Sequence, residues 1–304
     1  MKIVKIAARA MTLASALLGL PVFKLQLGGQ TLHQRLSRSW LAILVRRLAI
    51  RTVSNPMVVH GHTVYWHPRD YWMGPQLAAG RYEQETVSLW VSLLSSGMTA
   101  VDLGAHVGLY SLLGARQVGQ GGRVYAFEPE PSCYALLLKN IAANGYRDII
   151  IPVNSAVSNT AGKVELFLGE LESGETSLYP APGAGQQRVT VEAVTLDEFF
   201  EGEGWPPVQV MKMDIEGAEK VALEGMRQLV ARNPSLKLIM EFGPGVQASA
   251  GVSPEDLFGT LTGLGFQRFW ALRDGVQPVT IPEDIPQLVK MAERHAYVNL
   301  LCGL

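Results

Sequence analysis

The sequence predicts an α/β protein: a mostly parallel sheet with helices on both faces and a binding crevice along one edge. Three observations carry that expectation. From Thr99 onward, short apolar runs alternate with helix-like segments, the order expected of parallel strands joined by crossover helices. The run Thr99–Asp102 is followed by Gly104 and Gly108 and then by Leu109 to Val118, which reads as strand, tight turn and helix. Finally, four strand ends present acids, Asp102, Glu128, Asp214 and Glu241. The C-terminal ends of parallel strands share an edge, so these carboxylates are expected to converge.

Each element follows from its residues. Glycine at 104 and 108 lets the chain turn with positive φ and lets a ligand approach without a Cβ in the way. The following helix offers free N–H groups and a partial positive charge. His106 stands where the dinucleotide fingerprint has its middle glycine. Arg123–Glu128 is the next strand, and Pro129 stops it with Glu128 about 20 residues past the glycines, where a carboxylate accepts hydrogen bonds from ribose hydroxyls. A helix from Tyr134 to Asn144 closes at Gly145, and Ile149–Asn154 is a strand followed by Ser155 and Ala156. Lys163–Leu168 and Val189–Val194 are strand-like and flank a Gly/Pro/Ser/Glu-rich loop, Gly169–Gln187, that contains Ser177. Thr195 opens a short helix; Val208–Met213 is a buried strand ending in Asp214-Ile-Glu-Gly-Ala-Glu219, and a single helix is expected from there to about Leu229. Leu236–Met240 is a strand ending in Glu241, Pro254–Leu264 a helix, and Phe266–Leu272 with Tyr297–Leu301 a closing strand pair.

Upstream, Val58–Trp66 reads as a hairpin about Gly61, and Glu83–Leu94 as a helix containing Glu85. His60, His62 and His67 lie close together, but alternating histidines without a cysteine or acid nearby are expected at the surface rather than on a metal. Residues 1–51 look like two helices broken at Gly28-Gly29, the second amphipathic, with Trp40 and leucines opposite arginines. Such a helix lies in a membrane interface, caps a domain or makes a homodimer.

The chain has 304 residues, 48% hydrophobic and 17% charged, an ordinary globular composition with room for one large domain and an appendage. Two cysteines, Cys133 and Cys302, give no disulfide framework and no metal spacing, which fits a reducing compartment. The net charge of −1 conceals an asymmetry: residues 1–69 hold ten basic side chains and no acid, leaving 16 basic and 27 acidic residues in the remainder. A basic arm, 1–69, is therefore expected before a domain at 70–304, and its charge suggests an anionic partner. The apolar run Ala10–Phe23 is 14 residues long and contains Pro21, against about 20 needed to span a bilayer. A secretory signal is conceivable from the basic start. The expectation is a cytoplasmic chain, with a peripheral contact at the inner membrane face left open, and no nucleic-acid partner.

Convergent carboxylates suit a methyl donor that carries a sulfonium, an amino group and a ribose diol. They would repel a pyrophosphate, which argues for S-adenosylmethionine over NAD. The blocks Asp102-Leu-Gly-Ala-His-Val-Gly108, Val124-Tyr-Ala-Phe-Glu-Pro129, Asn154-Ser-Ala-Val-Ser158, Val194-Thr-Leu-Asp197 and Met211-Lys-Met-Asp-Ile-Glu-Gly-Ala-Glu219 together resemble the successive motifs of the FkbM-type S-adenosylmethionine-dependent O-methyltransferases. Tyr82-Glu83 and Glu85 are similar to that family's lead-in helix. The resemblance covers roughly Tyr82 to Glu241. The Lys-Met-Asp-Ile-Glu-Gly-Ala-Glu block is its specific part, and His106 departs from the family's usual Asn.

The resemblance implies the class I methyltransferase fold, a Rossmann-like sheet of seven strands with one antiparallel strand near the C-terminus. It implies O-methylation of a sugar, glycolipid or polyketide-type acceptor. It also implies roles. Asp102, Gly104, His106 and Gly108 would shape the methionine pocket, and Glu85 would join the cofactor site. Glu128 and Pro129 would hold the ribose, with Ser155 and Ala156 beside the adenine. Asp214 would meet the cofactor amino group or the substrate hydroxyl, Glu216 and Glu241 would position or deprotonate the substrate, and Ser177 would touch it. Separately from the resemblance, a divalent metal clustered by Asp214, Glu216 and Glu241 is a weaker expectation, and oxygen ligands would suit magnesium. Two rival readings are an NAD-dependent oxidoreductase and a non-catalytic membrane-associated scaffold on the same fold.

Overall fold

The computed structural model describes residues 26–27, 30–31, 54–70, 73–169, 173–180, 187–273 and 275–304. The two helices expected in residues 1–51 and the arm's membrane contact fall outside the described residues. The chain divides into two compact units, Met1–Tyr82 and Glu83–Leu304.

In the first unit, β1 (Gln26–Leu27) pairs antiparallel with β2 (Gln30–Thr31). β3 (Met57–Val59) and β4 (His62–Val64) form the hairpin about Gly61, with Val59 opposite His62. Met57, Val59 and Val64 face inward while Val58 is exposed. α1 (Met73–Ala78) follows, and a Cβ on Gly74 would lie 3.0 Å from the Trp66 ring, so glycine lets the helix pack there. The surface expectation for the histidines holds for His60 alone: period-2 alternation turns His62 inward with Val64, and His67, beyond the strand, is buried as well.

In the second unit, α2 (Gln84–Leu93) leads into β5 (Thr99–Leu103), α3 (Leu109–Val118), β6 (Arg123–Phe127), α4 (Pro131–Ala143) and β7 (Ile150–Val153). A small sheet follows, β8 (Ala156–Val157), β9 (Gly162–Phe167) and β10 (Arg188–Val194), in order β8-β10-β9. Then come α5 (Leu196–Gly202), β11 (Val210–Met213), α6 (Glu219–Glu224), α7 (Arg227–Arg232), β12 (Lys237–Phe242), α8 (Pro244–Gln247), α9 (Pro254–Gly263), β13 (Arg268–Leu272), β14 (Val276–Val279), α10 (Ile285–His295) and β15 (Val298–Gly303).

The main sheet runs β14-β13-β15-β12-β11-β5-β6-β7. The five strands from β12 to β7 are mutually parallel, and β15 is antiparallel to both of its neighbours. Seven of these strands are the sheet expected from the sequence; the eighth, β14, is added at the edge, antiparallel to β13. Its mostly exposed residues and Pro278 give no apolar run to read, and an edge strand tolerates the missing N–H of proline. β5 and β11 are buried on both faces, as central parallel strands are. Val101, Leu103, Phe127, Met211, Met213 and Leu238 belong to the core that fixes this layer.

The helix expected after Glu219 is two helices. Gly225 lies where a Cβ would meet the Ser158 carbonyl oxygen at 2.2 Å, and the Asp197 carboxylate accepts the Gln228 and Leu229 N–H groups at 3.0 and 2.8 Å, starting α7 anew.

Candidate active site

The site is built at the C-terminal edge of β5, β6, β11 and β12. After β5 the chain turns at Gly104 (φ +78°) and Gly108 (φ +93°). The Gly104 and Ala105 N–H groups both donate to the Phe127 carbonyl, at 3.0 and 2.9 Å, tying the turn to β6. A Cβ on Gly104 would lie 1.8 Å from the carbonyl oxygen of Asp214, so the two strand ends can approach this closely only through glycine. One on Gly108 would lie 2.6 Å from Leu137 Cδ1 on α4. His106 also takes a left-handed conformation (φ +53°), which aims its N–H at Glu128 Oε2, 2.7 Å away.

Glu128 is 6% exposed. Its carboxylate also accepts the Glu130 N–H at 2.8 Å, and the Asn154 amide donates to its backbone carbonyl at 2.8 Å. Burial pushes its pKa up to about 8 although both backbone donors pull the other way.

A cleft of about 590 Å³, its open mouth included, lies over these residues. Gly104, His106, Glu128 and Pro129 form one wall, with Ser155 and Ala156 beside them. Phe127, Val157, Leu166 and Leu178 give apolar surface, and Asp214, Ile215 and Glu216 close the far side. The 3-10 turn Ser173–Glu175 and Ser177 complete the lining. His106 Nε2 meets Ser173 Oγ at 2.5 Å, and the Ser177 hydroxyl donates to the Glu216 carbonyl at 2.5 Å. The loop is thereby tied to both sides of the cleft.

The turn after β11 is left-handed at two successive residues and is braced by one carboxylate. Glu216 (φ +52°) and Gly217 (φ +96°) are both left-handed, and the buried Glu219 Oε1 accepts the Gly217 N–H at 3.2 Å. A non-glycine residue held at positive φ stores about 1–3 kcal/mol and persists where the surroundings over-determine it.

Behind that turn lies an acidic corner. One carboxylate oxygen from each of Glu83, Asp214 and Glu241 falls within 4.8 Å of the others. The buried Lys212 ammonium donates to Asp214 Oδ2 at 2.7 Å and lies 4.5 Å from the Tyr110 ring centroid. Burial alone would lower the Lys212 pKa, but Asp214, Glu83 and Asp102 outweigh it and keep the ammonium charged. Glu83 accepts the Tyr110 hydroxyl at 2.5 Å and the Tyr297 hydroxyl at 2.9 Å. Its backbone is left-handed (φ +40°) at the N-cap of α2, and it makes no side-chain cap there. Burial, then Asp214, Glu216 and Glu83, raise the Glu241 carboxyl well above the usual range; Glu216 is raised by burial and then by Asp214.

Gly104, His106, Glu128, Pro129, Ser155, Ala156, Ser177, Asp214 and Glu216 thus line one cleft, and Glu241 stands beside Asp214. Asp102, Gly108 and Glu85 are not among the lining residues. Asp102 is 1% exposed and accepts the Ser111 hydroxyl at 2.6 Å, beneath the turn. Gly108 packs on α4. The exposed Glu85 accepts the Gly275 N–H at 3.0 Å. Of the set expected for magnesium, Asp214 and Glu241 gather with Glu83 rather than Glu216, and the Lys212 ammonium already supplies Asp214 with a cation. Glu83, Lys212, Tyr110 and Tyr297 are the members the sequence expectation lacked. Glu83 and Lys212 lie inside the resembling blocks. The two tyrosines carry no sequence signal.

The cleft offers a buried carboxylate for a diol, apolar walls for a flat ring and acids for a cation. An adenosyl group bearing a sulfonium fits that donor set.

The family model described as the methyltransferase FkbM domain matches residues 102–267. Methyltransferase sdnD of Sordaria araneosa is 28% identical over 167 residues, covering 45% of this chain and 63% of its own length. The chain therefore spans less than two thirds of that relative. Hexuronic acid methyltransferase AglP of Haloferax volcanii is 24% identical over 226 residues, covering 72% of this chain and 83% of its own. Among solved structures, precorrin-6y C5,15-methyltransferase from Geobacter metallireducens is similar with a TM-score of 0.41 and 11% identity, covering 73% of this chain and 89% of that one.

Proposed function

The chain belongs to the FkbM methyltransferase family, and from that premise we propose that it is an S-adenosylmethionine-dependent O-methyltransferase acting on a hydroxyl of a sugar, glycolipid or polyketide-type acceptor. The observation that carries this reading is the position of Asp214, which lines the cleft and also belongs to the acidic corner. One residue thus joins a place suited to the donor and a place suited to proton removal.

S-adenosylmethionine supplies an activated methyl group on a cationic sulfur. Glu128 would accept its ribose hydroxyls, Ser155 and Ala156 would border the adenine with Phe127 and Pro129, and Asp214 would face the methionine end. Much of the rate then comes from holding the acceptor oxygen in line. A hydroxyl of high pKa still loses its proton during attack. Glu241 is the base of choice: burial and the neighbouring acids raise its proton affinity, while the Asp214 carboxylate is committed to Lys212. Glu216 and Ser177 bound the acceptor side of the cleft.

Three carboxyl groups around the one ammonium of Lys212 make this corner repulsive to an anionic oxygen, which favours a neutral hydroxyl over an acceptor carboxylate. The name of AglP gives a hexuronic acid as its substrate, which supports a carbohydrate acceptor here. Calorimetry should show S-adenosylmethionine binding, and screening neutral glycosides and hydroxylated polyketides should yield S-adenosylhomocysteine. Glu241→Gln should slow transfer about 10²–10⁴-fold with donor affinity within a few fold. Absence of donor binding by the intact chain would end this reading.

A further inference from the structure

We propose that Glu83, Asp214 and Glu241 act as one charge-compensating unit: the corner gives up a proton when a cationic methyl donor enters the cleft, and takes one from the acceptor hydroxyl as that positive charge is consumed. The inference rests on the proposed methyltransferase reading and deepens it.

The geometry supports it in three steps. First, three carboxylates whose oxygens lie within 4.8 Å of one another cannot all be ionised cheaply, and the bond that Lys212 makes here goes to Asp214. Second, the groups facing Glu241 raise rather than lower its proton affinity: Asp214, Glu216 and Glu219 from the β11 side and Glu83 from the start of α2. Tyr297, ahead of β15, and Tyr110, on α3, both spend their hydroxyls on Glu83. Third, Asp214 also lines the cleft, so charge placed in the cleft is felt in the corner.

A positive charge arriving beside Asp214 favours the fully ionised corner and expels the shared proton. That leaves Glu241 as a carboxylate when the acceptor is present. Glu241 then takes the hydroxyl proton as the O–C bond forms and the C–S bond breaks, the electron pair of that bond staying on sulfur. The cleft loses one positive charge and the corner gains one proton, so the buried site keeps its net charge through the reaction. Glu83 is here a positioning residue: its carboxylate accepts two phenolic hydroxyls and stands within reach of Glu241, whose proton affinity it helps to raise.

The test needs no acceptor. Binding of S-adenosylmethionine and of S-adenosylhomocysteine to the full chain is measured by calorimetry near pH 7 in buffers of different ionisation enthalpy, which counts protons released. Contributions from Glu128 and the ribose are common to both ligands and cancel in the difference. S-adenosylmethionine should release roughly 0.5–1 proton more than S-adenosylhomocysteine. Glu241→Gln should abolish that excess and Glu83→Gln should reduce it, while Glu255→Gln, in the exposed first turn of α9, should leave it intact. Should Glu241→Gln fail to fold, Glu83→Gln and the wild-type pair of ligands still decide. Equal proton counts for the two ligands, or an excess unchanged in both corner variants, would overturn the inference alone. If neither ligand binds, the methyltransferase reading itself falls.

Discussion

Glu128 and Glu241 stand at two strand ends of the same sheet, and burial raises the proton affinity of both, yet opposite neighbours hold them. Glu128 sits among backbone donors: the His106 and Glu130 N–H groups point at it because local turns place them there. Glu241 sits among other carboxyls, Asp214, Glu216, Glu83 and Glu219, drawn from segments far apart in sequence. The first is a seat made by chain geometry, suited to a ligand that donates hydrogen bonds. The second is a charge balance made by side chains, suited to taking and releasing a proton. Asp214 joins the two, lining the cleft with Glu128 and standing beside Glu241, and Gly104 lets the first strand end touch the third there.

That junction gives the largest expected effect. Gly104→Ala places a methyl 1.8 Å from a backbone oxygen at a positive φ, so neither partner can move aside cheaply. The left-handed penalty of about 1–2 kcal/mol and an overpacking cost of about 1–3 kcal/mol add. For a unit of this size the melting temperature should fall by roughly 4–20 °C, and donor binding should be lost. Gly97→Ala shares the positive φ (+83°) but has nothing within 4 Å of the new methyl. It should cost about 1 kcal/mol, roughly 2–4 °C, and keep donor affinity. Equal losses in the two variants would mean that the close approach of the strand ends is unimportant.

The second prediction separates the halves by pH. In the ligand-free fold Glu128 keeps its proton to about pH 8, while in the unfolded chain it releases it near 4.5. Between those values the folded state binds one proton more, so stability is greatest at the acid end and falls as pH rises, levelling above about 8. Glu128→Gln removes that contribution. It should flatten the slope of stability against pH by about 1.4 kcal/mol per unit across this window, measured by denaturant unfolding. Measured above about pH 8, where Glu128 is ionised, the variant should also lose about 10–100-fold in donor affinity, as expected when a charged hydrogen-bond acceptor is removed. A slope unchanged from the wild type would show that the backbone donors already keep Glu128 ionised.

The two halves were not equally legible in the sequence. Gly104, Glu128 and the Asp214–Gly217 turn declare themselves locally: a glycine where φ must be positive, an acid ahead of proline, an acid at the end of an apolar run. The acidic corner depends on distant segments meeting. Glu83 reaches Tyr297 across 214 positions, and no periodicity encodes that contact. Of the two acids at the start of one helix, the resemblance put Glu85 in the cofactor site and gave Glu83 no role. The left-handed N-cap takes Glu83 out of helical phase and into the corner, whereas Glu85, inside the first turn, points to Gly275 instead. Asp102 followed the strand-end rule and still missed the cleft, because a residue in a strand buried on both faces can bond inward, here to Ser111. The break at Gly225 was hidden for a related reason: the groups that end one helix and start the next, Ser158 and Asp197, belong to other elements.

The smallest expected effect concerns the departure at His106. If the seat around Glu128 is made by chain geometry, the side chain at 106 matters less than its left-handed backbone. His106→Asn keeps a residue that tolerates positive φ and keeps the N–H aimed at Glu128. It gives up the Nε2 contact with Ser173, a single partly buried hydrogen bond worth about 0.5–1.5 kcal/mol. Donor affinity should therefore stay within about threefold. His106→Ala keeps the N–H but sets a poorly tolerated residue in the left-handed region, so it should cost about 1 kcal/mol more than Asn in stability. That order, histidine and asparagine close together and alanine below them, is what calorimetry and thermal melts should return. A tenfold loss of affinity in His106→Asn would instead place the imidazole on the ligand, and the seat would then be built by a side chain after all.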